Sequence, residues 1–304
     1  MRPSRVSAGQ RLLWRLEVLG FDLVRGLMRL LPVETASSFG AGLFATLGPR
    51  TPLQRLVERN LELAFPEKDA AERDRIALES WRRLGRMAAE FTMLDRLTPA
   101  SGRVEVVGRE RLEAIARDNI PAVLISGHFS NFEIMAAVIV DSGVRCQVTY
   151  RAANNPYFDA RIVRARQSYG VKLFAPKGVD GSRELLRAMN RGESVSFLND
   201  QKFGDGIAAP FFGHIAYTAA GPTRMALQRD GRLVPMSVQR TKGARFRVVI
   251  HEPIVLTRSG DRKADLAAGV AQVNAFVEER VRERPEEWWW VHKRWPNECY
   301  PKKR

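Results

Sequence analysis

The stretch AVLISGHFSNFE (122–133) decides the fold. Its first five residues form a short apolar run of the kind that lies buried in a parallel sheet. A glycine and a histidine follow, and then a segment that continues as a helix to about Asp141. Outward from this strand–turn–helix unit the alternation repeats. VRCQVTYR (144–151), VKLFAP (171–176) and SVSFLN (194–199) read as strands, separated by helices over 156–169 and 182–191. A helix near 219–230 precedes two further strands, RLVPMSVQR (232–240) and RFRVVIHEPIVL (245–256), and an amphipathic helix over 261–284 closes the pattern. Strands alternating with helices predict an α/β fold, a mostly parallel central sheet flanked by helices on both faces. Upstream the periodicity is helical, over 11–31, 35–48, 52–64 and 68–96, with Trp81, Leu84, Met87, Phe91 and Leu94 as core positions of the last. The chain thus divides into a helical region, 1–100, and an α/β domain, 101–304.

Parallel sheets carry their working sites beyond the carboxyl ends of the strands. Four ends qualify: those of AVLISG, VTYR, LFAP and SFLN. At the first stand His128 and Glu133. A spacing of five on a continuous helix would set them about 140° apart, so they meet only if the helix starts after the histidine. Asn131 or Ser130 is a suitable N-cap, which leaves His128 on the turn and Glu133 in the first helical turn. Glu133 would then hold one imidazole nitrogen while the other acts as a general base. The plain alternative is a structural histidine after a strand. HFSNFE lacks HExxH spacing, and neither GxSxG nor GxxxxGK occurs. Cys146 and Cys299 form no CxxC, so neither a zinc site nor a disulfide framework is expected. No metal or dissociable cofactor is expected.

Forty-nine Lys and Arg against 34 Asp and Glu give a net charge of +15, a field that attracts phosphate. Nucleic acid is not the expected partner, because no RNA-binding aromatic motif, zinc-ligand spacing or basic heptad region is present. In the helix over 11–31, Arg11, Arg15, Asp22, Arg25 and Arg29 fall within about 80° of one another, and leucines occupy the rest. This pattern suits a helix lying on an anionic membrane surface with its arginines meeting lipid phosphates; the alternative is a helix packed on its own domain. The uncharged runs at 35–49 and 206–223 are short or broken by Pro and Gly, poor candidates for a span. The first twenty residues lack the pattern of a secretory signal.

Five blocks, GHFSNFE (127–133), YRAANNPYFDARIVRAR (150–166), NDQKFG (199–204), PFFG (210–213) and PEEWWWVHKRW (285–295), make the sequence resemble the lipid A biosynthesis acyltransferases. The resemblance covers most of 120–296 and implies a glycerol-3-phosphate acyltransferase-like fold. It implies catalytic roles for His128 as base, Glu133 as its orienting carboxylate, Arg166 and Asp200, with Arg164 close enough to Arg166 to compete for its role. Asn131, Gln201, Phe211 and Phe212 lie in the same blocks as candidate substrate contacts, the two phenylalanines being equally plausible core. Asp200 is expected to position Arg166 or hold the acceptor sugar, and both to share the cleft of His128. The tryptophans of 288–295 suit a membrane interface or close the core. The implied reaction moves a fatty acyl group from acyl carrier protein to a hydroxyl of a glycolipid, at the cytoplasmic face of the inner membrane. A lysophospholipid or phosphatidylinositol mannoside acceptor is the close alternative. A non-catalytic protein that binds anionic lipid is the distant one.

Overall fold

The structure, a computed structural model, describes residues 6–300 except 119, 151, 172–173, 177–178 and 229–230. Parts of the strands expected over 144–151 and 171–176, and the end of the helix expected near 219–230, fall outside the described residues. Strand β2 (Ala122–Ser126), buried along its whole length, lies in the middle of a seven-stranded sheet. Its neighbours β5 (Ser194–Leu198) and β8 (Arg232–Arg240) run parallel to it, and β3 (Cys146–Tyr150) and β4 (Phe174–Pro176) extend the parallel part. Beyond β8 the direction reverses. β9 (Phe246–Ile250) is antiparallel to β8, and β1 (Val104–Val107) pairs with β9 in parallel. The resulting order is β1-β9-β8-β2-β5-β3-β4.

Alternate residues of β2 feed two cores, as the pleat requires. Leu124 packs with α6 (Glu133–Asp141) through Ile134, Met135 and Val138. Val123 and Ile125 pack with Leu185 and Met189 of α8 (Val179–Asn190), Met225 of α9 (Gly221–Gln228) and Val273 of α10 (Arg262–Glu283). The remaining helices of this half are α5 (Arg109–Asp118) and α7 (Pro156–Gln167). The uncharged run at 206–223 contains a β-hairpin, β6 (Ile207–Phe211) and β7 (His214–Thr218). Its two-residue turn places Phe212 at φ 51° and Gly213 at φ 71°, the left-handed pair that matches strand twist.

Upstream, α1 (Ala8–Leu30), α2 (Val33–Leu47), α3 (Gln54–Ala64) and α4 (Ala70–Glu90) form the helical region. The helix expected over 68–96 ends at Glu90, and 91–96 continue as 3₁₀ turns broken at Met93 (φ −142°, ψ 37°). Helices α2 and α4 touch backbone to backbone: a Cβ on Gly40 would lie 2.3 Å from the Gly85 carbonyl oxygen. The core runs across residue 100 without a break, joining Val57, Leu61 and Trp81 to Phe246 and Trp290.

Helix α1 reverses the expected arrangement of its two faces. Its polar stripe lies against protein: Arg29 forks onto Asp95 at 2.7 and 2.9 Å, Asp22 receives Arg161 at 2.7 Å, and Arg15 sits over the Tyr157 ring. Phe21 packs edge-on against Phe158. The leucines instead face outward, with Leu12, Leu16, Leu19, Leu23 and Leu27 between 55% and 66% exposed. Phe39, Leu43 and Leu47 of α2 are exposed as well. The partners Asp95, Tyr157 and Arg161 are remote in sequence, so helical periodicity alone assigned the arginines to lipid. Among the described residues, no helix is long and apolar enough to cross a membrane.

Candidate active site

Strand β2 ends at Ser126 and the next six residues form a tight turn before α6 begins at Glu133. The turn is held from several sides. Ser130 has φ 44°, a left-handed value unusual for a residue with a side chain, and its N–H donates to the Glu287 carbonyl at 2.7 Å. Phe129 makes a β-bridge with Trp288. Asn131, wholly buried, donates through Nδ2 to Glu90 Oε2 at 2.9 Å. Glu90 is itself held bidentately by Arg240 at 2.7 and 2.8 Å and by the Ser37 hydroxyl. This ionic cluster ties α2, α4 and β8 to the turn, and it needs every bond because an unpaired charge there would be costly. Asn131 is therefore a structural anchor, neither the N-cap of α6, which has no side-chain cap, nor a substrate contact.

His128 stands on this turn as expected, but its partner is Asp200. The ring Nδ1 lies 2.6 Å from Asp200 Oδ1. Asp200 Oδ2 accepts from the His128 backbone N–H and from Trp288 Nε1–H, each at 2.7 Å. Gly127 permits this approach, since a Cβ there would stand 3.1 Å from Oδ2 and 2.7 Å from the Phe129 ring. Burial pulls the Asp200 carboxyl upward, but the charge and hydrogen bonds of His128 and the indole of Trp288 outweigh it and hold the group at about 2. An ionised carboxylate facing Nδ1 fixes the proton there and leaves Nε2 as the acceptor nitrogen, open to a donor N–H or O–H. Gln201 Nε2 lies 3.4 Å from that nitrogen. Phe132 and Trp289 pack against the imidazole, and Trp289 stacks on His292.

Glu133 occupies the first helical position, as the spacing predicts, yet it does not orient His128. Its carboxylate receives Arg166 Nε at 2.9 Å and Nη2 at 2.6 Å, and the Tyr169 hydroxyl at 3.2 Å. Burial works against the Arg166 charge, but the fork onto Glu133 more than compensates and raises its pKa. Burial, then the Glu133 charge, raises that of Tyr169. The expected Asp200–Arg166 pairing is likewise replaced: each acid serves a different base. Among the described residues, Arg166 Nη1 is buried and has no hydrogen-bond partner. Glu133 and Arg166 stand in the wall of a mainly apolar cavity, partly open to solvent, between α6 and the sheet. Phe132, Met135, Ile139, Val148 and Met236 line it.

Several expectations move. Phe211 and Phe212 are buried in the core, Phe211 against Trp288 and Trp295, and neither faces the cavity. Arg164 is exposed on the side of α7 away from Arg166 and lines a separate cleft with α1. The tryptophans are not an interfacial belt: Trp288, Trp290 and Trp295 are buried, and Trp289 walls His128. Arg294 is buried too, bound to the Tyr217 carbonyl, Thr218 Oγ1 and Asn274 Oδ1, and burial lowers its pKa to about 10. Glu90, Trp288 and Tyr169 escaped the sequence reading. Glu90 sits inside a helical pattern, and only the EEWWW run signalled that the last block had more than a surface role.

A family model described as bacterial lipid A biosynthesis acyltransferase matches residues 16–297. The lipid A biosynthesis palmitoleoyltransferase of Escherichia coli is 27% identical over 252 residues, 79% of this chain and 78% of its own. The myristoyltransferase of the same organism is 26% identical over 257 residues, 81% and 77% of the two chains. A lipid A biosynthesis acyltransferase of Haemophilus influenzae is 26% identical over 298 residues, 93% and 92%. The solved 1-acyl-sn-glycerophosphate acyltransferase of Thermotoga maritima overlaps 82% of this chain and 96% of its own at 14% identity, with a TM-score of 0.36.

Proposed function

The chain belongs to the bacterial lipid A biosynthesis acyltransferase family and is an acyltransferase, and we propose that it moves a fatty acyl group from a thioester on acyl carrier protein to a hydroxyl of a lipid A precursor. The buried His128–Asp200 pair carries this reading: it has its own small pocket with Gln201 and Trp289, and the turn that bears His128 runs on through Phe132 and Glu133 into the wall of the apolar cavity. His128 Nε2 takes the proton of the acceptor hydroxyl, while Nδ1–H stays on the Asp200 carboxylate and stabilises the imidazolium. The acceptor oxygen attacks the thioester carbonyl carbon and gives a tetrahedral oxyanion. Collapse forms the ester and expels the carrier thiolate, which takes the proton back from His128 and leaves as the thiol. The oxyanion needs a preorganised donor. We assign this role to Arg166 Nη1, which among the described residues is buried and unpartnered while Glu133 fixes the other side of the guanidinium. The apolar cavity accommodates the acyl chain.

We place the chain at the cytoplasmic face of the inner membrane; the outward leucines of α1 and the exposed apolar residues of α2, which would sink into the headgroup–acyl boundary, support attachment to a bilayer surface. The positive surface suits an acidic carrier protein. The test is transfer of a labelled acyl group from acyl carrier protein to micellar lipid A precursor, with His128→Ala and Asp200→Asn as controls. Wild-type turnover lost in both variants supports the reading. Acylation of a lysophospholipid in place of the glycolipid would overturn the acceptor. Turnover unchanged in His128→Ala would overturn the base.

A further inference from the structure

Where α1 crosses α7, a cleft of about 550 Å³, partly open to solvent, lies apart from the cavity beside Glu133. Phe21, Asp22 and Arg25 of α1 line it with Phe91 and with Arg161 and Arg164 of α7. Arg161 is fixed by Asp22, which accepts from Nη2 at 2.7 Å and from Nε at 3.2 Å. The side chains of Arg25 and Arg164 make no hydrogen bond or ion pair within the described residues. Some half-buried arginines elsewhere have an acid, as Arg59 has Glu62, Arg103 has Glu34 and Arg232 has Asp118. Others have only hydroxyl or carbonyl oxygens, as Arg86 has Ser37 and Ser38 and Arg96 has the Arg29 carbonyl. Here three guanidiniums share one carboxylate, a local charge of +2.

We infer that this cleft binds a phosphate monoester of the lipid acceptor, an inference that rests on the acceptor being an amphiphilic glycolipid. Charge selects the group. A phosphate monoester carries about −1.5 to −2 at neutral pH and offers three acceptor oxygens, whereas a carboxylate would neutralise only half of the surplus. Guanidinium forks match phosphate geometry, and Asp22 keeps Arg161 pointed into the cleft. Location selects the carrier. Leu23 and Leu27 of α1, on the outward side of the same helix, place the cleft at the level of lipid headgroups. Helix α7 then spans two contacts: Arg164 faces the cleft, and Arg166, about 160° around the axis, faces Glu133. A sugar headgroup anchored by its phosphate on one side of this helix can present a hydroxyl on the other.

The test measures binding, so that it does not depend on turnover. The full chain carrying His128→Ala is titrated with neutral-detergent micelles containing a glycolipid that bears a phosphate monoester, and with the same glycolipid after phosphatase treatment. Adding Arg25→Gln and Arg164→Gln should raise the dissociation constant for the phosphorylated lipid roughly 10- to 100-fold and leave the dephosphorylated lipid unchanged. Arg25→Lys with Arg164→Lys should restore part of the loss. No loss, or an equal loss for both lipids, would overturn the cleft. So would saturable binding of inorganic phosphate or of anionic phospholipid vesicles as tight as that of the glycolipid, since the acceptor would then not be the ligand. Failure of wild type to acylate any glycolipid, with the binding difference intact, would instead count against the proposed reaction alone.

Discussion

Asp200→Asn is the substitution that most directly tests how His128 is held. In the folded protein Asp200 Oδ2 takes two N–H donors and Oδ1 faces Nδ1. An asparagine keeps the shape, and its single oxygen will stay with the two fixed donors, the His128 N–H and the Trp288 indole. Its NH₂ group then points at Nδ1 and forces that nitrogen to accept, which moves the ring proton to Nε2, the nitrogen that must take the proton from the acceptor. The analogous swap in a serine protease triad lowers kcat roughly 10⁴-fold, and the same loss, about 5.5 kcal/mol of barrier, is expected here. Stability should fall as well. The drop of the Asp200 carboxyl from its ordinary 3.8 to about 2 corresponds to about 2 kcal/mol at neutral pH. Because the folded pKa is depressed, this contribution is complete above about pH 4 and is lost as the pH falls through about 2; the gap between wild type and variant should narrow over that window. Steady-state transfer from the acyl thioester, with circular dichroism to confirm folding, reads the first effect, and denaturant unfolding at several pH values reads the second. An Asp200→Asn enzyme within tenfold of wild type, beside a folded but inactive Glu133→Gln, would return the orienting role to Glu133 and refute the pairing argued above.

Glu133→Gln leaves the Arg166 charge buried with half its partner, and thermal unfolding should report a loss of roughly 3 kcal/mol together with impaired turnover; wild-type stability would mean that the pair is solvated in solution. Replacing Leu16, Leu19, Leu23 and Leu27 with Gln should weaken flotation with anionic vesicles roughly a hundredfold or more, at about 1 kcal/mol for each half-exposed leucine. The same treatment of Arg15 and Arg29 should matter far less, because Arg29 is held by Asp95 and Arg15 lies over the Tyr157 ring. Ala136 lines the apolar cavity, so Ala136→Phe should shift the product toward shorter acyl chains when mass spectrometry compares donors of different length; an unchanged distribution would place the chain elsewhere.

Much of this site was legible in the sequence because its residues sit where strands end. The period of AVLIS, VTY and SFL fixed the strand ends, and the parallel order of β8, β2, β5 and β3 carried His128 and Asp200 to one edge although 72 residues separate them. The pairing was not legible. Two acids, Glu133 and Asp200, lie at that edge, and the choice between them depends on the left-handed φ of Ser130 and on Trp288, both tertiary facts. Composition misled at the same level. An arginine stripe beside leucines is identical in sequence whether the arginines face lipid or lie against Asp95 and the Tyr157 ring. Tryptophans beside Lys and Arg do not announce that one indole donates to the Asp200 carboxylate. The hairpin over 207–218 was missed for a simpler reason: its residues are uncharged and short-spaced, and Phe212 accepts a left-handed φ usually left to Gly or Asn.

Trp288, which donates to Asp200, comes 160 residues after His128. At about 5–20 residues per second, roughly 8–32 s of translation separate the two. A nascent chain that has exposed its entire sheet through β9 still lacks the indole that holds the carboxylate and the Trp290 and Trp295 rings that close the core. Competence for acyl transfer therefore arrives in one late step, with the docking of 285–300. A ribosome-stalled intermediate stopped before that segment emerges would have its leucine-faced helix complete while Asp200 still lacked its indole donor.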